Sequence, residues 1–200
     1  MKRKFPDRRS KFHTCLFMQN IYMLGGYHTC LKYDTTTKNW MRIAKLNIYR
    51  RDMGCAVFEG KIVVTGGFHE LPEKSVEAYD HHEKKWSYFP EMVNRKFGHK
   101  AVSVGNKLFV IGGIKRWFFE VFDSRSRKFT NLKKMIEFEE FGPTYASLVN
   151  IGYKIIVIQE IVNEKVRYVN IYDALQDSWS LRENPFKVDF VYSLSRVPSS

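Results

Sequence analysis

The stretch that decides the fold is GCAVFEGKIVVTGGFHELPEKSVEAYDHHEKKW, residues 54–86. GCAVF and KIVVT are short apolar, β-branched runs separated by a turn at Gly60-Lys61, so they predict a β-hairpin. The pair Gly66-Gly67 ends the second run. Glycine reaches backbone angles that other residues resist and lets a neighbouring chain come close. After a loop, a third strand-like run ends on Tyr79-Asp80, where the aspartate can accept hydrogen bonds from turn amides just beyond it. Six residues after Asp80 stands Trp86, at the start of a fourth predicted strand. Its large surface suits packing between neighbouring sheets.

The same pattern recurs along the chain. Glycine pairs stand at Gly25-Gly26, Gly66-Gly67 and Gly112-Gly113, and aromatic–aspartate pairs at Tyr33-Asp34, Tyr79-Asp80, Phe122-Asp123 and Tyr172-Asp173. Closing aromatics are Trp40, Trp86, Phe129 and Trp179, each six residues after its aspartate. The aspartates are 46, 43 and 50 residues apart, and the loop from second glycine to aspartate takes 8, 13 and 10 residues. Hairpins are also predicted at Gln19-Asn20, Asn106-Lys107 and Tyr153-Lys154. Four short antiparallel strands per unit, repeated at this period, is the plan of a β-propeller blade.

These residues resemble the kelch repeat, over about residues 8–182. The fourth copy departs from the pattern, with Gln159-Glu160 where a glycine pair belongs, and the third has Phe129 in place of tryptophan. The expected fold is all-β: a kelch-type propeller of four four-stranded blades, at about 9–43, 50–88, 95–131 and 142–181. A basic leader, 1–8, precedes them. A tail, 183–200, follows, with one candidate strand at Phe190-Val191-Tyr192-Ser193-Leu194. Propellers as a class have about four to eight blades, and the resemblance implies a ring of more than four. An incomplete ring, part of a longer propeller, is therefore expected.

Composition narrows the classes. The 200 residues are 44% apolar and 27% charged, the balance of a globular chain and not of a disordered one. Aromatics, at 16%, suit strands. No apolar run is long enough to cross a membrane as a helix, and polar residues interrupt the start too early for a secretory signal. Cys15, Cys30 and Cys55 are odd in number and lack CxxC spacing, so they read as small apolar side chains in a reducing compartment. The net charge of +12 raises nucleic acid as a partner, but residues 1–11 alone carry +5 of it. That tail reads as a linker in preference to a nuclear signal, and nucleic-acid binding is not expected.

Candidate site residues fall on two loop sets that share one end of a kelch propeller: those after the glycine pairs and those between blades. A basic residue stands sixteen positions before the first glycine in three copies: Arg9, Arg50 and Lys96. The resemblance implies a partner-facing role there, carried to Arg50 first, because an arginine fork suits carboxylates. Tyr27 and Phe68 follow their glycine pairs, with His28 and His69 next to them. Lys115, Arg116 and Trp117 lie in the third such loop. Aromatics beside cations make a binding hot spot. His81-His82 reads as a turn.

The resemblance is to the propellers of the BTB–kelch, or kelch-like, proteins. It implies a protein-interaction module that holds a substrate while BTB and BACK domains, neither visible in these residues, engage a cullin-RING ubiquitin ligase. The alternative is an actin-binding or cytoskeletal kelch protein. A kelch-propeller metalloenzyme is a remote third reading, since no convergent set of metal ligands stands out. No cofactor, no enzyme activity and no membrane partner are expected, and the compartment expected is the cytoplasm, with the nucleus as an option.

Overall fold

A computed structural model describes residues 12–26, 30–113, 119–132, 144–161 and 166–183. Every regular element among them is a strand, and the strands form four antiparallel sheets in simple meander order. The first sheet holds β1 (Phe12–Phe17), β2 (Asn20–Gly25), β3 (Cys30–Asp34) and β4 (Asn39–Ile43). The second holds β5 (Gly54–Phe58), β6 (Lys61–Thr65), β7 (Val76–Asp80) and β8 (Lys85–Phe89). The third holds β9 (Lys100–Val104), β10 (Lys107–Ile111), β11 (Glu120–Asp123) and β12 (Lys128–Asn131). The fourth holds β13 (Thr144–Ile151), β14 (Lys154–Ile161), β15 (Val166–Asp173) and β16 (Ser178–Glu183). The candidate strand Phe190–Leu194 lies outside the described residues.

Each hairpin turn falls one residue earlier than the sequence suggests, at Met18-Gln19, Glu59-Gly60, Gly105-Asn106 and Gly152-Tyr153. The first two turns hold both central residues at positive φ, 48° and 60°, then 48° and 68°, which matches the strand twist as a type I′ turn does. In the last two, the residue at positive φ is the leading glycine, Gly105 or Gly152, the type II′ pattern.

The fixed spacing of six has a plain cause. Each aspartate accepts amide hydrogen bonds from the turn it opens: Thr36 and Thr37 to Asp34, His82 and Glu83 to Asp80, Arg125 to Asp123, Leu175 and Gln176 to Asp173. A left-handed residue ends each turn, Lys38, Lys84, Arg127 and Asp177. Antiparallel register then sets the aromatic before the aspartate opposite the closing aromatic. The ring centroids are 5.0, 5.1, 5.1 and 4.9 Å apart in the four sheets, within the range where aromatic pairs attract.

The core lies between sheets. On β6, Ile62 and Val64 face the first sheet and Val63 the third; on β10, Leu108 and Val110 face the second sheet, Phe109 and Ile111 the fourth. Strands buried on both faces must read as unbroken apolar runs. Trp86 also donates its indole N–H to Ala44 O at 2.9 Å, tying the second sheet to the loop from the first. The inner strands β1, β5, β9 and β13 are neighbours in that order.

Candidate functional site

Arg50 does not face a partner; here the structure corrects the expectation. Its side chain is fully buried and donates to Gly66 O (2.7 Å), Ser75 O (2.8 Å), Ser75 Oγ (2.9 Å) and Glu77 Oε1 (2.7 Å). Glu77 also accepts the backbone amides of Asn47 (2.7 Å) and Ile48 (3.1 Å). A carboxylate on β7 thus clasps the loop arriving from the first sheet, and Arg50 neutralises it. Burial pulls the Arg50 pKa down from its ordinary value, and Glu77 opposes that. Lys96 is corrected in the same way. It is buried, 3.3 Å from Glu120, which accepts the amides of Val93 (2.7 Å) and Asn94 (3.0 Å). Burial lowers the Lys96 pKa to about 8, while Glu120 raises it. A buried charge needs such a partner.

The glycine pair makes room for this clasp. Gly66 and Gly67 hold φ of 53° and 102°. A Cβ on Gly67 would sit 2.8 Å from Arg51 O, and one on Gly66 2.7 Å from Lys96 O. The Gly67 amide instead donates to Lys96 O at 2.8 Å.

The next residue outward does reach the surface. Arg51 lies over the Phe68 ring, 5.1 Å from its centroid, and Phe68 packs on Phe97 at 5.1 Å. Backbone bonds of 3.0 and 2.8 Å join Arg51 and Phe68. His69 is exposed and edge-on to Tyr49, at 5.3 Å. Leu71, Arg95 and Lys100 are exposed on the same end. Beside them a cavity of about 340 Å³, lined by Phe12, His13, Thr14, Cys55, Lys100, Ala101 and Leu148, opens among the inner strands. Burial, with Lys100 nearby, lowers the His13 pKa to about 4. Two half-buried aromatic rings, Phe68 and Phe97, thus lie together at this end, with the Arg51 guanidinium over the first.

Of the residues singled out in the sequence, the structure therefore sets Phe68 and His69 in this patch and Arg50 and Lys96 beneath it. Arg9, Tyr27, His28, Lys115, Arg116 and Trp117 lie outside the described residues. His81 and His82 occupy a turn, their rings 3.7 Å apart. Among the described residues, no group of three or more His, Cys, Asp or Glu is placed to hold a metal ion, and no helix is long and apolar enough to cross a membrane. Arg51, Phe97, Glu77 and Glu120 were missed. Glu77 and Glu120 had left a signal: each stands three residues before its aspartate on an otherwise apolar strand. Their copies have Arg50 and Lys96 sixteen before the glycine, whereas the fourth has Asn170 and Pro143 at these places.

The repeating sheets and their loop clasps define a class, and comparison with known proteins agrees. The sequence model of the Kelch motif matches residues 49–93. The chain is a kelch-repeat propeller resembling the kelch-like proteins. Kelch-like protein 6 of Homo sapiens is 35% identical over 104 residues, which are 50% of this chain and 17% of that protein. Kelch-like protein 15 of Gallus gallus is 31% identical over 115 residues, 50% of this chain and 23% of that protein. Alpha-scruin of Limulus polyphemus is 26% identical over 124 residues, 54% of this chain and 14% of that protein. The matched region thus spans less than a quarter of these relatives' length. The structure of YjhT superimposes with a TM-score of 0.73 at 18% identity, over 92% of this chain and 68% of that one. That is a likeness of fold.

Proposed function

We propose that this kelch interaction module is the substrate-recognition propeller of a BTB–kelch adaptor for a cullin-RING ubiquitin ligase. Its partner is an extended or turn-like acidic peptide, held without chemistry. The observation that carries the reading is the patch of Arg51 over Phe68, with Phe97 behind and His69 and Arg95 beside it. A guanidinium stacked on a ring keeps its donors in one plane, where a carboxylate can meet two of them at once. The ring beneath supplies apolar contact at low entropy cost. The adaptor role is supported by the resemblance to kelch-like proteins.

The test is co-purification of tagged protein from cells, comparing the wild type with the Arg51→Glu, Phe68→Ala double variant. The variant is expected to lose specific partners by about tenfold or more, the scale of one hot spot. Equal recovery would remove the patch from the function. Co-sedimentation with actin filaments that survives moderate salt, which screens simple charge attraction, would put the cytoskeletal reading in its place.

A further inference from the structure

The fold gathers all three cysteines of the chain at the junction of the first two sheets. β1 and β5 are adjacent inner strands. Side chains alternate along a strand. Cys15 shares its face of β1 with Phe17, and Cys55 shares its face of β5 with Val57; all four pack in the core between these two sheets. Ala56 and Phe58, one step along β5, pack toward the third sheet instead. Cys15 and Cys55 therefore face each other across the junction. The neighbouring Cys15 thiol, together with burial, raises the Cys55 pKa well above the ordinary value. Cys30, on β3, is buried, while Cys15 and Cys55 are only half-buried. Cys55 also lines the cavity at the loop end of the inner strands, which gives a small oxidant a way in.

We propose that Cys15 and Cys55 form a reversible dithiol–disulfide site that staples the first sheet to the second. The oxidant is a small peroxide. One of the two sulfurs attacks hydrogen peroxide: the O–O bond breaks, that sulfur becomes a sulfenic acid, and one oxygen leaves as water. The second sulfur then attacks the first; its proton and the hydroxyl leave as a second water, and the S–S bond forms. Two thiols have given two electrons to one peroxide. A thiol reductant reverses the step. Cys30, sealed in the core, stays reduced.

Peptide mapping decides this. The reduced full-length chain is treated with hydrogen peroxide, remaining thiols are alkylated, and the digest is run without reductant. The expected product is a Cys15–Cys55 linked peptide pair, lighter than the two free peptides by two hydrogens, with Cys30 alkylated. Dithiothreitol should restore all three thiols. Cys30→Ala should keep the link, and Cys15→Ser or Cys55→Ser should abolish it. A link through Cys30, a link found only between chains, or three free thiols in a chain still folded by circular dichroism would overturn the proposal.

Discussion

His99 is fully buried, with Nε2 3.1 Å from the Gly54 amide and 2.9 Å from Thr65 Oγ1, while Nδ1 meets no partner among the described residues. Burial, helped by the Lys96 charge, lowers its pKa from 6.5 to about 3. Between those values the unfolded chain binds a proton that the folded chain refuses, so stability must fall as pH drops through that window. His13, lowered to about 4, adds to the slope with the same sign. The urea midpoint should therefore fall between about pH 7 and about pH 4.5. His99→Met should flatten the fall, since Met53 fills the matching buried place thirteen residues before its own glycine pair. An unchanged slope in that variant would refute the assignment. At this scale the sequence was a poor guide. His99 looks like any histidine, because nothing local says which residue the next sheet will cover.

At the scale of the element, the strands and turns were legible, because their causes are local. An aspartate opening a turn and an aromatic six residues on are fixed by register alone. The loop clasp was not legible, because alternation decides it. Arg50 and Arg51 are neighbours, so one points inward to Glu77 and the other outward over Phe68. Counting back from the glycine pair selects the inward residue. Arg50→Ala would strand Glu77 as a buried, unpaired carboxylate. It should cost about 3–5 kcal/mol, the toll of breaking a buried pair. Arg51→Ala should cost less than about 1 kcal/mol, the scale of an exposed cation–π contact. Chemical denaturation of both variants measures the contrast, and equal losses would contradict the clasp. An Arg50 variant is consequently a poor probe of partner binding.

At the scale of the whole molecule, the junctions between successive sheets bury apolar faces, but single apolar side chains stay exposed on the inner strands of the first and fourth sheets. Leu16 is 69% exposed on β1, and Ile151 65% exposed on β13, each on the side turned away from its neighbouring sheet. Exposed apolar side chains favour self-association. The 200-residue chain alone should associate as concentration rises, and Leu16→Lys with Ile151→Lys should suppress this in light scattering. Their effect on stability should stay within about 0.5 kcal/mol, as for surface substitutions generally. A scattering mass unchanged by the pair would count against these side chains. The repeat, the number of sheets and the class of fold follow from the order of glycine pair, aspartate and tryptophan, since each acts on residues close to it in the chain. Which cation turns inward, which aromatic carries the outer one, and which cysteines meet were settled only when neighbouring sheets packed. Those contacts join residues tens of positions apart, and their trace in the sequence is slight: a glutamate on an otherwise apolar strand in the two copies that bury a cation.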